Sequence, residues 1–126
     1  MKRISLNQVL QLHKKMIEAT GGDLGVRDIG LLESALSNSF STFDDIELYP
    51  SIEEKCSSVC FSIINNHPFV DGNKRMGIFI MLVLLEYNEI SLKYTQRELI
   101  NIGLGTAKGE YKQDYILQWI IERKNK

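Results

Sequence analysis

Eight consecutive apolar residues, Ile78-Phe79-Ile80-Met81-Leu82-Val83-Leu84-Leu85, constrain this chain more than any other stretch. The run has no polar side at helical spacing, so a helix over residues 73–87 must be surrounded by other elements. It is far too short to cross a bilayer as a helix, which takes about 20 apolar residues. The partners that bury it must come from the same chain. That makes the expected architecture a bundle packed around a central helix.

The flanking segments supply those partners. Ser5-Leu6-Asn7-Gln8 has the form of a capping box and opens a first helix, with Leu6, Val9, Leu10, Leu12, Met16 and Ile17 as its apolar stripe. Gly21, Gly22 and Gly25 break it. Asp28 can cap a short second helix carrying Leu31, Leu32, Ala35 and Leu36. Residues 38–50 read as irregular, closed by Pro50. Ser51-Ile52-Glu53-Glu54 is a second capping box, and its helix runs to about Asn66 with Ile52, Cys56, Val59, Cys60, Ile63 and Ile64 inward. After the central helix, Ile90–Tyr94 reads as an extended link. Thr95-Gln96-Arg97-Glu98 opens a helix through about Leu104, with Gly103, Gly105 and Gly109 breaking or thinning the region. A last helix from about Lys112 carries Tyr115, Ile116, Trp119 and Ile120 and ends in a solvated basic tail. The fold class is therefore all-α, a compact bundle of about six helices in one domain over residues 1–126.

Composition bounds the function. With 126 residues and a formal net charge of −1, the chain lacks the basic excess of a general nucleic-acid binder, so no direct nucleic-acid contact is expected. No secretory pattern opens it and no segment is long enough for a membrane span, so a cytoplasmic location is expected. Cys56 and Cys60, the only cysteines, lie one helical turn apart. Helix geometry disfavours a bridge between them, and they read as small buried apolar residues.

The chemistry-bearing stretch lies directly before the apolar run: His67-Pro68-Phe69-Val70-Asp71-Gly72-Asn73-Lys74-Arg75. It joins a helix C-terminus to a helix N-terminus. The latter offers unpaired N–H groups and partial positive charge, which suit phosphate. Lys74 and Arg75 add cationic charge, Asp71 can hold a divalent cation, and His67 can act as a base near neutral pH. The residue types together point to a magnesium–nucleotide site with a base aimed at a hydroxyl. The same residues also have a structural reading. Pro68 and Asp71-Gly72 are common turn residues, and Asp71 or Asn73 can serve as a helix cap.

This nonapeptide resembles the signature HxFx[D/E]GN[G/K]R of the Fic/Doc family, with the lysine after Asn73 typical of its Doc branch. The likeness extends to Gly21–Asp28, Leu31–Leu36 and Ile102–Gly109. It implies a Fic/Doc-like helical fold, with His67 taking a proton from a target hydroxyl and Asp71 holding Mg2+ on ATP phosphates. Gly72 would let the backbone approach those phosphates. Asn73 would donate its amide to a phosphate oxygen, and Lys74 and Arg75 would neutralise the transferring group. The Gly21–Asp28 loop is either a connector or a flap bordering the site.

The resemblance further implies a toxin that arrests growth by acting on a translation protein, with elongation factor Tu as the family's suggested target. A cognate Phd-like antitoxin would hold it through a helix laid in a groove. AMP-transferring relatives usually carry glycine at the place of Lys74 and a second arginine at the place of Ile78. The departure at both favours γ-phosphate transfer from ATP over AMP transfer. Thr106-Ala107-Lys108-Gly109-Glu110-Tyr111 nears the family's self-inhibitory motif but ends in tyrosine, so control by a separate antitoxin is implied. AMP or other nucleotidyl transfer, and a catalytically silent binding module, are the alternative readings.

Overall fold

The structure, a computed structural model, describes residues 1–124. Six α-helices follow in chain order: α1 (Leu6–Thr20), α2 (Ile29–Ser37), α3 (Ile52–Asn66), α4 (Asn73–Tyr87), α5 (Gln96–Ala107) and α6 (Gln113–Arg123). The segment before α3 is more ordered than its sequence suggests. A 3-10 turn at Asn38–Phe40 leads into a hairpin of β1 (Thr42–Phe43) and β2 (Ile46–Glu47), paired antiparallel. Asp44 and Asp45 both take positive φ, 56° and 65°, as a tight two-residue turn requires. Lys55 of α3, itself buried, anchors this hairpin by its ion pair with Glu47 at 3.0 Å. All-helical packing with one minimal hairpin is the fold class read from the periodicity.

Four helices start at the caps foreseen, α2 at Asp28, whose carboxylate accepts from Leu31 N–H at 3.1 Å, and the other three at capping boxes of two geometries. At α1, Ser5 Oγ accepts from Gln8 N–H while the Gln8 side chain accepts from Ser5 N–H, a reciprocal box. At α3 and α5, Ser51 and Thr95 accept from the N–H of Glu54 and Glu98. Their hydroxyls then donate to those same glutamates, at 3.0 and 3.4 Å, so the second half of each box closes side chain to side chain.

Helices α3 and α4 form the most extensive pair in the bundle. Gly77 makes this possible. A Cβ there would lie 2.7 Å from Ile64 Cγ1 and 3.0 Å from the Cys60 carbonyl oxygen. Met76, Ile80, Met81, Leu84 and Leu85 complete the buried side of α4. The expectation that α4 is enclosed all round needs correction. Phe79 is 42% exposed, and Leu82 and Val83 are only partly covered. Phe79 and Leu82 face an apolar groove between α4 and α5, so one side of the helix is left to that groove.

Helix α5 also runs beyond the predicted stop at Leu104, through Ala107. Its glycines serve packing rather than interruption. A Cβ on Gly105 would meet the Tyr111 ring at 2.3 Å, so the glycine admits the ring. The extended link after α4 forms a bridge from Leu92 to Lys124, and Lys124 Nζ reaches Glu53 at 2.5 Å. Lys124, the first residue past α6, is thus tied to the body; the rest of the expected basic tail, residues 125–126, lies outside the described residues. Among the described residues no helix is long and apolar enough to cross a membrane.

Candidate active site

His67 ends α3 in the left-handed region, φ 50° and ψ 58°. A non-glycine residue pays about 1 kcal/mol for that conformation, so the surroundings must impose it. They do so through the backbone. His67 N–H donates to Ile63 O at 3.3 Å. Arg27 Nε donates to His67 O and Arg27 Nη2 to Asn66 O, both at 2.6 Å. The imidazole itself is left exposed on the rim of a cleft of about 480 Å³. Residues 70–75 form the cleft floor, and Ala107 of α5 closes its far side.

Gly72 caps α4 with φ 80° and no side-chain capping bond. A Cβ there would sit 2.7 Å from Met16 Cε, so both conformation and space demand glycine. The first N–H groups of α4, those of Asn73, Lys74 and Arg75, have no partner among the described residues. They are the orphan donors every helix start carries. Lys74 and Arg75 are exposed beside them. Arg75 Nη1 donates to Thr20 Oγ1, which in turn donates to Met16 O, so this guanidinium is braced against the end of α1.

Asp71 brings its carboxylate to the same cleft. Oδ1 accepts from Gly72 N–H at 2.8 Å and Oδ2 from Asp23 N–H at 3.2 Å. The Asp23 amide first, then that of Gly72, holds the carboxyl below the usual aspartate range, so it stays anionic. Each oxygen keeps a further lone pair for a cation. Among the described residues there is no cluster of three or more metal-ligating side chains. A single carboxylate beside the open N–H groups of α4 nonetheless fits Mg2+, which binds through one or two carboxylates and completes its shell with waters and phosphate oxygens.

Asn73 also has a structural role beside its expected one. Its side-chain oxygen accepts from Phe69 N–H at 2.9 Å and its amide donates to Phe69 O at 3.0 Å. The residue is 9% exposed. The oxygen and one of the two amide N–H donors are thus engaged with the loop backbone, while the residue also lines the cleft. Phe69 is the loop's core anchor, 1% exposed.

Several contributors lie outside the motif. His13 of α1 is buried and donates from Nε2 to the Asp71 carbonyl at 2.9 Å, with its ring stacked on Phe69 at 3.9 Å. Its place on the stripe Val9–His13–Ile17 was the available signal. The Gly21–Asp28 loop borders the site as a flap. Val26 bridges antiparallel to Phe69, Arg27 and Asp28 both donate their N–H to Pro68 O, and Val70 N–H donates to Gly25 O. Glycine spacing alone carries no sign of that strand-like pairing.

The profile of the Fic/DOC family matches residues 3–85, from before α1 to near the end of α4. The chain belongs to the Fic/DOC family. It is also similar to a protein named Toxin Doc from Mycolicibacterium smegmatis, with 36% identity over 74 residues. That alignment covers 59% of this chain and 57% of the relative. The span matched by the family profile, residues 3–85, holds the flap, the His67–Arg75 loop and α1 to α4 up to Leu85.

Proposed function

We propose that this Fic/DOC chain is a Doc-like toxin that transfers the γ-phosphate of ATP to a hydroxyl of a translation protein, with elongation factor Tu as the expected target. His67 takes the proton of the hydroxyl, and the oxygen attacks the γ-phosphorus. The bond to the β-phosphate oxygen breaks and ADP leaves. A base so placed contributes about 10²–10⁴ in rate. Lys74, Arg75 and the open N–H groups of α4 offset the charge on the transferring group. Asp71 would hold Mg2+, which supplies charge neutralisation on the nucleotide when bound.

The observation that carries the kinase reading is the wall beyond Arg75. One turn on, Ile78 is buried against the apolar groove between α4 and α5. Transfer of AMP puts the α-phosphate at the hydroxyl, so the β- and γ-phosphates extend further and need cations there. Ile78 provides none. With the γ-phosphate at the hydroxyl, Lys74 and Arg75 suffice.

The groove itself, of about 440 Å³, supports the partner reading. It is apolar along Ile78, Phe79, Leu82 and Leu99 and edged by Lys74 and Arg75. An amphipathic antitoxin helix with acidic residues at one end fits that pattern. Because groove and cleft share the two cations, such a helix would compete with ATP.

Parallel incubations with a cell lysate test the reaction. γ-Labelled ATP should mark a protein and α-labelled ATP should not. Label arriving only from the α position makes the chain a nucleotidyl transferase. Absence of magnesium-dependent ATP binding by the pure protein makes it a silent binding module. Co-expression with the neighbouring reading frame should yield a co-purifying complex, and no complex counts against the antitoxin.

A further inference from the structure

Three consecutive carbonyls at the end of α3, those of Asn66, His67 and Pro68, all accept hydrogen bonds from the flap. Arg27 serves the first two through its guanidinium, at 2.6 Å each. The third accepts from Arg27 N–H at 2.7 Å and Asp28 N–H at 3.0 Å. A helix that ends in a left-handed residue caps its last turn with the N–H of that residue and of the one after it. Here His67 gives its N–H to Ile63 O, and the residue after it, Pro68, has none to give. The Arg27 guanidinium serves two carbonyls further on, those of Asn66 and His67, and places positive charge at a helix C-terminus, where it is favoured.

We propose that Arg27 is a positioning residue for His67, fixing the left-handed backbone that aims the imidazole into the cleft and tying that aim to the flap. The inference rests on the reading of His67 as the base. A planar fork that meets two carbonyls at once is specific to arginine; a lysine ammonium holds one well. The same bonds make flap position and base position one variable, so a target protein that moves the flap also resets His67.

The chain has two histidines, His13 and His67, which makes the test direct. Protein carrying isotope-labelled histidine gives ring signals assignable by comparison with His67→Ala. Arg27→Met should broaden or double the His67 signals while those of His13 keep their positions and unfolding stays cooperative. Label transfer from γ-labelled ATP should fall about 10–100-fold at unchanged KM for ATP, the loss expected for a misaimed reacting group. Arg27→Lys should recover only part of it, and it carries the test if Arg27→Met does not fold.

His67 signals that superimpose on wild type in both variants overturn the proposal. So does collapse of both histidines' signals together with loss of cooperative unfolding in both, which marks a purely structural residue. Full activity of Arg27→Lys overturns the two-carbonyl clamp. If wild type and His67→Ala transfer label alike, it is the base assignment that fails, and the ring signals still report whether Arg27 sets His67.

Discussion

His13 Nε2 lies 2.9 Å from the carbonyl oxygen of Asp71, joining the middle of α1 to the Asp71–Gly72 turn 58 positions later. A carbonyl can only accept, so Nε2 carries a proton and donates it to this bond. The stacked contact with Phe69 makes His13 a second support for the loop, from α1.

Replacing His13 with alanine should therefore lower stability by about 2–4 kcal/mol, combining a lost buried ring, a stacking contact and an unpaired carbonyl. His13→Gln keeps a donor and should lose less. Urea unfolding of the two variants checks this, and equal losses would remove the hydrogen bond from the account.

The flap glycines separate strain from contact. Gly21 and Gly22 have φ of 86° and 116°. A Cβ on Gly21 meets nothing within 4 Å, whereas one on Gly22 comes 2.5 Å from Asp71 Oδ2. Gly21, with ψ of 167°, lies in a region essentially restricted to glycine, so Gly21→Ala should cost about 1–3 kcal/mol of strain alone. Gly22→Ala should add displacement of the flap from Asp71, read as faster hydrogen exchange at the Asp23 amide. Indistinguishable exchange in the two variants would contradict that contact.

Acid should weaken the joint between α5 and α6. Glu98 accepts from Arg123 Nε at 2.6 Å and from Trp119 Nε1 at 3.0 Å, and the Arg123 bond first holds its carboxyl below the usual glutamate range. A carboxyl lowered in the folded state adds stability that is full above its unfolded value, about pH 4.3, and is lost as pH falls through the folded value. The melting temperature of wild type should exceed that of Glu98→Gln near pH 7. The two should converge toward pH 3, and a constant gap across this range would rule the linkage out.

Both thiols should be inert in the native state. Burial pushes Cys56 up to about 12 and Cys60 higher still, leaving almost no thiolate near neutrality. A thiol reagent should modify neither before unfolding and both after it. Rapid native labelling of either would show that α3 opens locally.

The helices were legible in the sequence because their causes are local. Ser5, Asp28, Ser51 and Thr95 cap the turns that follow them, and apolar spacing within each segment names its inner side. The His67–Arg75 stretch was equally plain, since its residue types sit within nine positions. Gly103 and Gly105 misled, because a glycine that thins an isolated helix also admits a neighbour, and the Tyr111 ring that fills the space at Gly105 is identified only by packing.

Tertiary structure alone decided how the loop is held. Asn73 turns its amide back to Phe69, His13 supports Asp71 from α1, and Arg27 closes three carbonyls from the flap. Each bond joins partners whose pairing depends on chain path rather than on neighbouring residues, apart from the short Asn73 clamp. The physical reason is that a buried or helix-terminal carbonyl must find a donor, and which donor reaches it is set by where the bundle brings the chain together.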